Sequence, residues 1–486
     1  MTSPSRIRRW LYAATGAVLT VGLLPMTATD AVATAAPPPV AARAAILPTT
    51  TISLTFDDGI ADQAAAVSAM AARGMKGTFF INSGFIGGDG FFTLAQLQSI
   101  AAAGNEIGGH TVNHPDLTTL STDEATRQVC NNRVALTNWG FTVTSFAYPF
   151  ASSSPATEAI VKGCGYNSAR GLGDLRTRFG CARCPYASPV PPVDPFETAA
   201  LDQVDNTWTL KDLQDSVTRA ERTGGWVQFT FHHICANNCD PLSVSPTVFG
   251  QFLNWLAPRT LINTRVRTVA QVIGGPVAAA VPGPVAPAAA PGVNAVVNPG
   301  LETASSTTPA DCFSIGGYGS NTAAFTAASP AHGGSSAVRT TVTNYQSGDA
   351  KLLPTLDLGA CAPTVVSGHQ YSLRTWYTST AVTQFAVYLR DSGDVWRYWT
   401  SSPWFAPADS FTQAVWVTPP IPDGMTGLSF GLNIFANGNI VTDDYGMYDQ
   451  AGAPAAKVAA VQAPKTAPAV KGPVEIVAEE SMGAGG

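Results

Sequence analysis

Charge is what this 486-residue chain has least of. Asp, Glu, Lys and Arg together make up 12% of it, about half the share usual in globular proteins, and the net charge is −6. A nucleic-acid partner is therefore not expected. Histidine is scarce, with six residues in all, so any pair of close histidines stands out. Internal repeats are absent. Apolar runs able to enter a membrane are absent except at the N-terminus. A hydrophobic share of 45% argues against global disorder, and the length is enough for two or three domains.

The ends read as processing and tail segments. Arg6, Arg8 and Arg9 precede an apolar stretch at 10–24, and Ala33-Thr34-Ala35 follows. That order predicts a secretory signal over 1–35 with cleavage near Ala35 or Ala33, then a spacer over 36–50. From 451 to 486 the chain is rich in Ala, Pro and Lys, with no apolar tail and no wall-sorting signal. The expectation is a secreted, extracellular protein, monomeric and without a stable membrane anchor after signal cleavage.

Eight cysteines in an exported chain predict disulfides. Cys312 and Cys361 lie beyond a linker and are expected to pair. Cys130, Cys164, Cys181, Cys184, Cys235 and Cys239 leave fifteen connectivities open. Cys181-x-x-Cys184 with Cys235-x-x-x-Cys239 also has the pattern of a four-thiolate zinc site, which an oxidising compartment disfavours.

Between 51 and 275, short apolar runs alternate with helical patterns. Strands are predicted at 52–56, 77–81, 105–108, 144–147 and 225–231. Helices are predicted at 61–72, at 93–103 with Thr93 as N-cap, at 122–138 and at 247–256. Such alternation predicts an α/β domain with a mostly parallel sheet, open or closed into a barrel, whose chemistry sits at the C-terminal strand ends. Residues 276–293 are almost only Ala, Pro, Val and Gly and read as a semi-rigid linker. From 294 to 450 strict alternation, as in Leu428-x-Phe430-x-Leu432-x-Ile434, predicts an all-β sandwich.

Four clusters fall at predicted strand ends. In Thr55-Phe56-Asp57-Asp58-Gly59, neighbouring carboxylates point to different sides, so one can hold a metal while the other stays free as a base. His110-x-x-x-His114 has a metal-pair spacing and lies on one face if the turn is helical, although Pro115 limits any helix. Phe146-Ala147-Tyr148-Pro149-Phe150 ends a third strand. Phe229-Thr230-Phe231-His232-His233 ends a fourth, where a histidine can act as a general acid. Taken singly, each also fits an ordinary strand exit.

In this order the clusters resemble the polysaccharide deacetylase (NodB-homology) family of carbohydrate esterases, over about 51–275. The resemblance implies a distorted (β/α) barrel and metal-dependent removal of acetyl groups from N-acetylated sugars. It implies Asp57 as general base, and Asp58, His110 and His114 as ligands of one divalent metal, zinc first with cobalt or nickel as alternatives. It further implies His232 as catalytic acid and the Phe150 backbone N–H at the oxyanion. The substrate expected is a GlcNAc-containing polymer such as chitin or peptidoglycan, with acetylated xylan as the ester alternative and a non-catalytic carbohydrate binder as the other. The chain departs from the family where Ala147 replaces an arginine that orients the base, and the usual carboxylate partner of that arginine is also not evident. The β region resembles galactose-binding-like carbohydrate modules, with Trp396, Tyr398, Trp399, Trp404 and Trp416 as candidate sugar platforms and a calcium ion expected near Glu302 and Asp444.

Overall fold

The computed structural model describes residues 49–237, 239–305 and 309–456. The expected export signal over 1–35, nearly all of the spacer and the tail beyond 456 lie outside the described residues.

The first half is a parallel sheet wrapped by helices. In chain order its elements are β1 (Thr50–Phe56), α1 (Ala64–Ala71), β2 (Thr78–Ile81), α2 (Leu94–Ala102), β3 (Glu106–Gly109), α3 (Thr122–Asn138), β4 (Ser145–Ala147), α4 (Pro155–Gly163), β5 (Ser168–Arg170), α5 (Leu210–Ala220) and β6 (Gly225–Phe231). They continue with a two-strand pair, β7 (His233–Ile234) and β8 (Ser243–Val244), then α6 (Pro246–Leu256), β9 (Thr264–Val266) and α7 (Val269–Ile273). Helix starts follow side-chain chemistry: Thr93 and Gln96 form a reciprocal cap on α2, and Ser121 caps α3.

The strand order is β5-β4-β3-β2-β1-β6, with β9 beside β1. β1 pairs with β6 along its whole length. Its other flank is divided, because Thr55 and Phe56 pair with β2 while residues Thr50, Thr51 and Ile52 pair with β9. That sharing distorts the barrel. Among the described residues, no regular strand fills the gap between β5 and β6. Residues 195–204 fill it instead, through Ala169 N–H to Pro195 O and Thr198 N–H to Ala169 O on one side. Leu201 N–H to Gln228 O and Val204 N–H to Thr230 O complete the closure on the other side. The distorted (β/α) barrel expected from the sequence is present.

Alternation along the strands sorts two environments. Ile52, Leu54, Phe56, Phe79, Ile107, Phe146, Val227, Phe229 and Phe231 belong to the core shared with the helices. The opposite set is largely polar and hydrogen-bonded: Trp226 Nε1 donates to Ser53 Oγ, and Gln228 Nε2 to Thr198 Oγ1. Glu106 belongs to this set. Its Oε2 accepts from Thr78 Oγ1 and from the Ala270 N–H at the start of α7.

Burial pushes the Glu106 carboxyl above the usual carboxylate range, against those hydrogen bonds. A carboxyl raised by folding binds its proton more tightly in the native state. Its stabilising contribution is therefore complete at acidic pH and lost as pH rises through the folded value. Glu106→Gln keeps an acceptor without an ionisable charge. The variant is expected to gain about 2–4 °C in Tm over the parent at pH 8, and to lose that gain at pH 4. Parallel Tm curves across that range, read by scanning calorimetry, would refute the assignment.

The second half is a sandwich of two five-stranded antiparallel sheets. Its strands are β10 (Phe313–Tyr318), β11 (Thr322–Ala328), β12 (Ala337–Thr343), β13 (Asp349–Pro354), β14 (Tyr371–Ser379), β15 (Phe385–Asp391), β16 (Trp396–Ser401), β17 (Ala408–Val417), β18 (Met425–Ile434) and β19 (Gly438–Asp449). The sheets run β10-β13-β18-β15-β16 and β11-β12-β19-β14-β17. Leu428, Phe430, Leu432 and Ile434 all face the shared core, as their alternation predicts.

The eight cysteines form Cys130–Cys164, Cys181–Cys184, Cys235–Cys239 and Cys312–Cys361. Each short-range pair closes on itself, so the four-thiolate zinc alternative is overturned. The Pro/Ala segment is not a loose tether either. Arg133 donates to the carbonyls of Ala278 and Ala279 at 2.7–2.9 Å, and Gly283 N–H donates to Asn131 Oδ1 at 2.8 Å. Composition alone could not reveal these α3 donors.

Candidate metal centre and catalytic cleft

β1 and β6 end side by side. Asp57 N–H donates to Phe231 O, which carries the ladder past the last strand residue. Gln63 Nε2 then bridges the carbonyls of Asp57 and His232 at 2.6 and 3.0 Å. The chain reverses at Asp58, whose φ of 71° lies in the left-handed region. Its carboxylate thereby leaves the direction of Asp57.

His110 follows β3, and the segment from His110 to His114 is not helical. Thr111 (φ 70°) and His114 (φ 59°) both take left-handed conformations. These fold the loop back so that the two rings meet edge to face, 4.8 Å between centroids. Non-glycine residues in this region cost about 1 kcal/mol or more each, so the surroundings must hold them. Asn132 Nδ2 grips Thr111 O at 2.7 Å and Ile81 O at 2.9 Å, and Asn113 N–H donates to Gln128 Oε1 at 3.0 Å.

His110 Nδ1 donates to Ala147 O at 2.7 Å, which turns Nε2 toward Asp58. The Nε2 atoms of His110 and His114 each lie 3.4 Å from Asp58 Oδ1. A direct charged hydrogen bond would be about 2.7–2.9 Å. Donors bonded at about 2.0–2.1 Å around one tetrahedral ion stand about 3.4 Å apart. Asp58 Oδ1 is also buried without a hydrogen-bond partner. Separation, donor chemistry and the orphaned oxygen all fit one divalent cation bound by two imidazoles and a carboxylate.

Electrostatics agree with this donor set. Burial alone would raise Asp58, but the neighbouring His110 imidazole and the charges of His114 and His232 hold it well below the usual carboxylate range. For His110, burial pushes downward, and the neighbouring carboxylates of Asp58 and Asp57 more than reverse it. His114 is pushed down to about 4, chiefly by burial, so its ring is neutral over the physiological range.

Asp57 is only 3% exposed, and both its oxygens face one nitrogen of Arg170, Nη2, at 2.7 and 2.5 Å. Arg170 is 1% exposed and lies across the Phe80 ring, its guanidinium carbon 5.2 Å from the ring centroid. It is the last residue of β5 and the register partner of Ala147 on β4. Asp57 therefore has a guanidinium partner, although Ala147 stands where the resemblance places an arginine. The cation comes from one strand further along, at the same height of the barrel. No residue within the four sequence clusters signals it.

His232 and His233 diverge. His232 lies close enough for its charge to act on Asp58 and His114, and its Nδ1 is buried without a partner. His233 Nδ1 contacts Asp62 Oδ2 at 2.7 Å, and that bond holds the imidazole above its usual range. Phe150 takes φ 55°, and its ring packs 4.7 Å from that of His114.

The candidate sugar platforms are mostly occupied. Trp396 is buried and donates from Nε1 to Asp357 O, so it does not face solvent as expected. Trp399 and Trp416 are half-buried against the sandwich core. Tyr398 bonds Ser401 through its hydroxyl and packs against Tyr388, and Trp404 packs against Phe435. Glu302 accepts N–H groups from Ser335 and Ser336, and Asp444 pairs with His332.

The polysaccharide deacetylase family model matches residues 45–169. A chitin deacetylase from Pestalotiopsis sp is 33% identical over 119 residues, which is 24% of this chain and 40% of that protein. The chain thus spans two-fifths of that relative's length. Among solved structures, a Streptococcus pyogenes deacetylase in complex with acetate is 26% identical, over 26% of this chain and 57% of that one, with a TM-score of 0.25. The chitin deacetylase of Colletotrichum lindemuthianum is 17% identical, over 47% and 89%, with a TM-score of 0.30. The family match ends one residue before Arg170 and well before His232, yet the fold returns both to the cluster that the matched segment begins. The segment 45–169 is thus similar to polysaccharide deacetylase domains.

Proposed function

We propose that the protein is a secreted, metal-dependent hydrolase that removes N-acetyl groups from a GlcNAc-containing polymer of the chitin or peptidoglycan type. The observation that carries this reading is the 3.4 Å spacing of His110 and His114 from an otherwise unpartnered Asp58 oxygen, beside a second carboxylate that is not part of the set. A divalent cation held there, zinc first with cobalt or nickel as substitutes, supplies Lewis acidity to the acetyl carbonyl and to water. Asp57, fixed by Arg170, takes the proton from the attacking water. The Phe150 N–H faces the developing oxyanion, where a fixed dipole is most effective. His232 delivers a proton to the leaving amine, which is a poor leaving group until protonated. Four disulfides among the described residues support an oxidising, extracytoplasmic setting, and no described helix is long and apolar enough to cross a membrane. Sugar contact by Tyr398, Trp399 and Trp404 remains part of the proposal. So does a calcium ion near Glu302 and Asp444, whereas Trp396 is buried and does not.

Acetate release from chitooligosaccharides, peptidoglycan and acetylated xylan, with and without chelator, tests the reading. Chelator-sensitive release from an amide substrate is expected. Release from xylan alone would favour the ester alternative, and no release from any of them after zinc loading would refute catalysis. His232→Ala is expected to lower amide hydrolysis by about a hundredfold and ester hydrolysis by less than about tenfold, because an alkoxide leaves with less help from an acid. Equal losses on both substrates in steady-state assays would remove His232 from the acid role.

A further inference from the structure

We propose that the β-sandwich braces the metal loop, so that the second domain is a structural part of the catalytic centre. The inference rests on the metal-site reading above and adds a partner to it from within the chain.

Residues 355–362 of the sandwich form a compact knot. Asp357 accepts N–H groups from Gly359, Cys361 and Ala362, and its carbonyl accepts from Arg390 Nη1 at 2.9 Å and Trp396 Nε1 at 3.1 Å. The Cys312–Cys361 disulfide ties the same segment to the start of β10. This knot meets the deacetylase domain at α3. Leu358 N–H donates to Glu124 Oε1 at 2.9 Å, with both residues buried. A second contact, Asn131 Nδ2 to Asp394 Oδ2 at 2.7 Å, lies two turns further along α3.

Glu124 Oε1 has a second donor, Gln128 Nε2 at 3.1 Å. The other end of that amide, Oε1, accepts the Asn113 N–H at 3.0 Å. Asn113 sits directly before His114, and its own Nδ2 reaches Leu356 O of the knot at 3.4 Å. One unbroken set of hydrogen bonds thus runs from Leu358 through Glu124 and Gln128 to Asn113, and a direct contact closes the circuit. Buried, fully joined polar networks of this kind fix one geometry, since a broken member leaves a buried group unpaired. The geometry fixed here is that of the left-handed His110–His114 turn, which has no helix of its own to hold it. Glu124 and Gln128 are positioning residues in this account, and neither touches substrate.

Coupling between two sites is reciprocal, so an ion that orders the histidine loop must also order the knot. Hydrogen exchange of the full-length protein, followed by mass spectrometry with and without zinc, reads this directly. Zinc is expected to slow exchange in peptides covering 110–114 and, by about tenfold, in peptides covering 355–362. In Gln128→Met, which keeps side-chain volume and removes the amide, the zinc effect should survive at 110–114 and weaken at 355–362, where only the direct Asn113–Leu356 contact is left to carry it. The same variant should bind zinc about ten times more weakly in a competition titration, the usual cost of losing a group that orients a ligand. If zinc protects 110–114 of the parent protein and leaves 355–362 unchanged, the brace is refuted and the metal site stands. If zinc protects neither segment, the metal-site reading fails and takes the brace with it. The parent comparison needs no variant, so a poorly folding Gln128→Met does not decide the outcome.

Discussion

Asp58→Asn is expected to abolish zinc uptake and to reduce acetate release by about a thousandfold or more. Even groups that only orient a metal ligand cost about 10- to 100-fold in affinity when lost, and Asp58 supplies the one anionic donor of the set. The Lewis acidity lost with the ion is worth several kcal/mol at the transition state, at about 1.4 kcal/mol per factor of ten. The same substitution should leave the fold intact. Asp58 has a φ of 71°, a region that Asn tolerates as well as Asp, and its inner oxygen has no hydrogen bond to lose. Zinc should therefore raise the Tm of the parent protein and leave that of Asp58→Asn unmoved, since only a state that binds the ion is stabilised by it. Thermal shift with and without zinc, run beside acetate release, separates the two effects. A variant that takes up zinc like its parent would remove Asp58 from the ligand set.

Much of this site is legible in the sequence because its key residues sit beside strong local signals. β1, β2 and β6 are short apolar runs, and Asp57, Asp58 and His232 stand just past their ends. The α2 and α3 boundaries follow from Thr93, Gly104 and the polar start of 122–138. Other features depend on pairing between distant residues. β5 has three residues, Ser168, Ala169 and Arg170, with no alternation to mark it. Residues 195–204 close the barrel without forming a regular strand, so no side-chain period announces them. The His110–His114 spacing fits a helical turn, but left-handed residues bring the rings together instead. The Pro/Ala segment has the composition of a semi-rigid linker, and only the α3 side chains Arg133 and Asn131 reveal that it is bound. The sequence pattern of β16 places Trp396 and Tyr398 on one face correctly, but says nothing of the 355–362 knot that covers the first of them.

The register of β4 and β5 makes the role of Arg170 testable in a way that an ordinary deletion is not. Arg170→Ala leaves Asp57 buried without its cation, and breaking a buried pair from one side costs about 3–5 kcal/mol. Acetate release is expected to fall by about a thousandfold, because a base without its orienting partner loses most of the gain of positioned proton transfer. Loss of activity alone would not distinguish a positioned base from a damaged barrel. Ala147 supplies the distinction. It is the direct register partner of Arg170 in a parallel pair, where neighbouring strands lie about 4.8 Å apart, and its side chain is fully buried in the cluster with Phe80 and Trp226. An arginine at 147 in a chain that lacks Arg170 would have the space the first guanidinium vacated, and could approach Asp57 from the adjacent strand. Ala147→Arg with Arg170→Ala is therefore expected to recover at least about a hundredfold of the lost activity, whereas Ala147→Arg alone, with two cations crowded beside one carboxylate, should be less active than the parent. Added guanidine should partly rescue Arg170→Ala and have no such effect on Arg170→Lys, which keeps a charge but not the planar fork. If the double variant folds, as judged by circular dichroism and zinc binding, and stays as inactive as Arg170→Ala, then Arg170 supports the barrel and does not position the base.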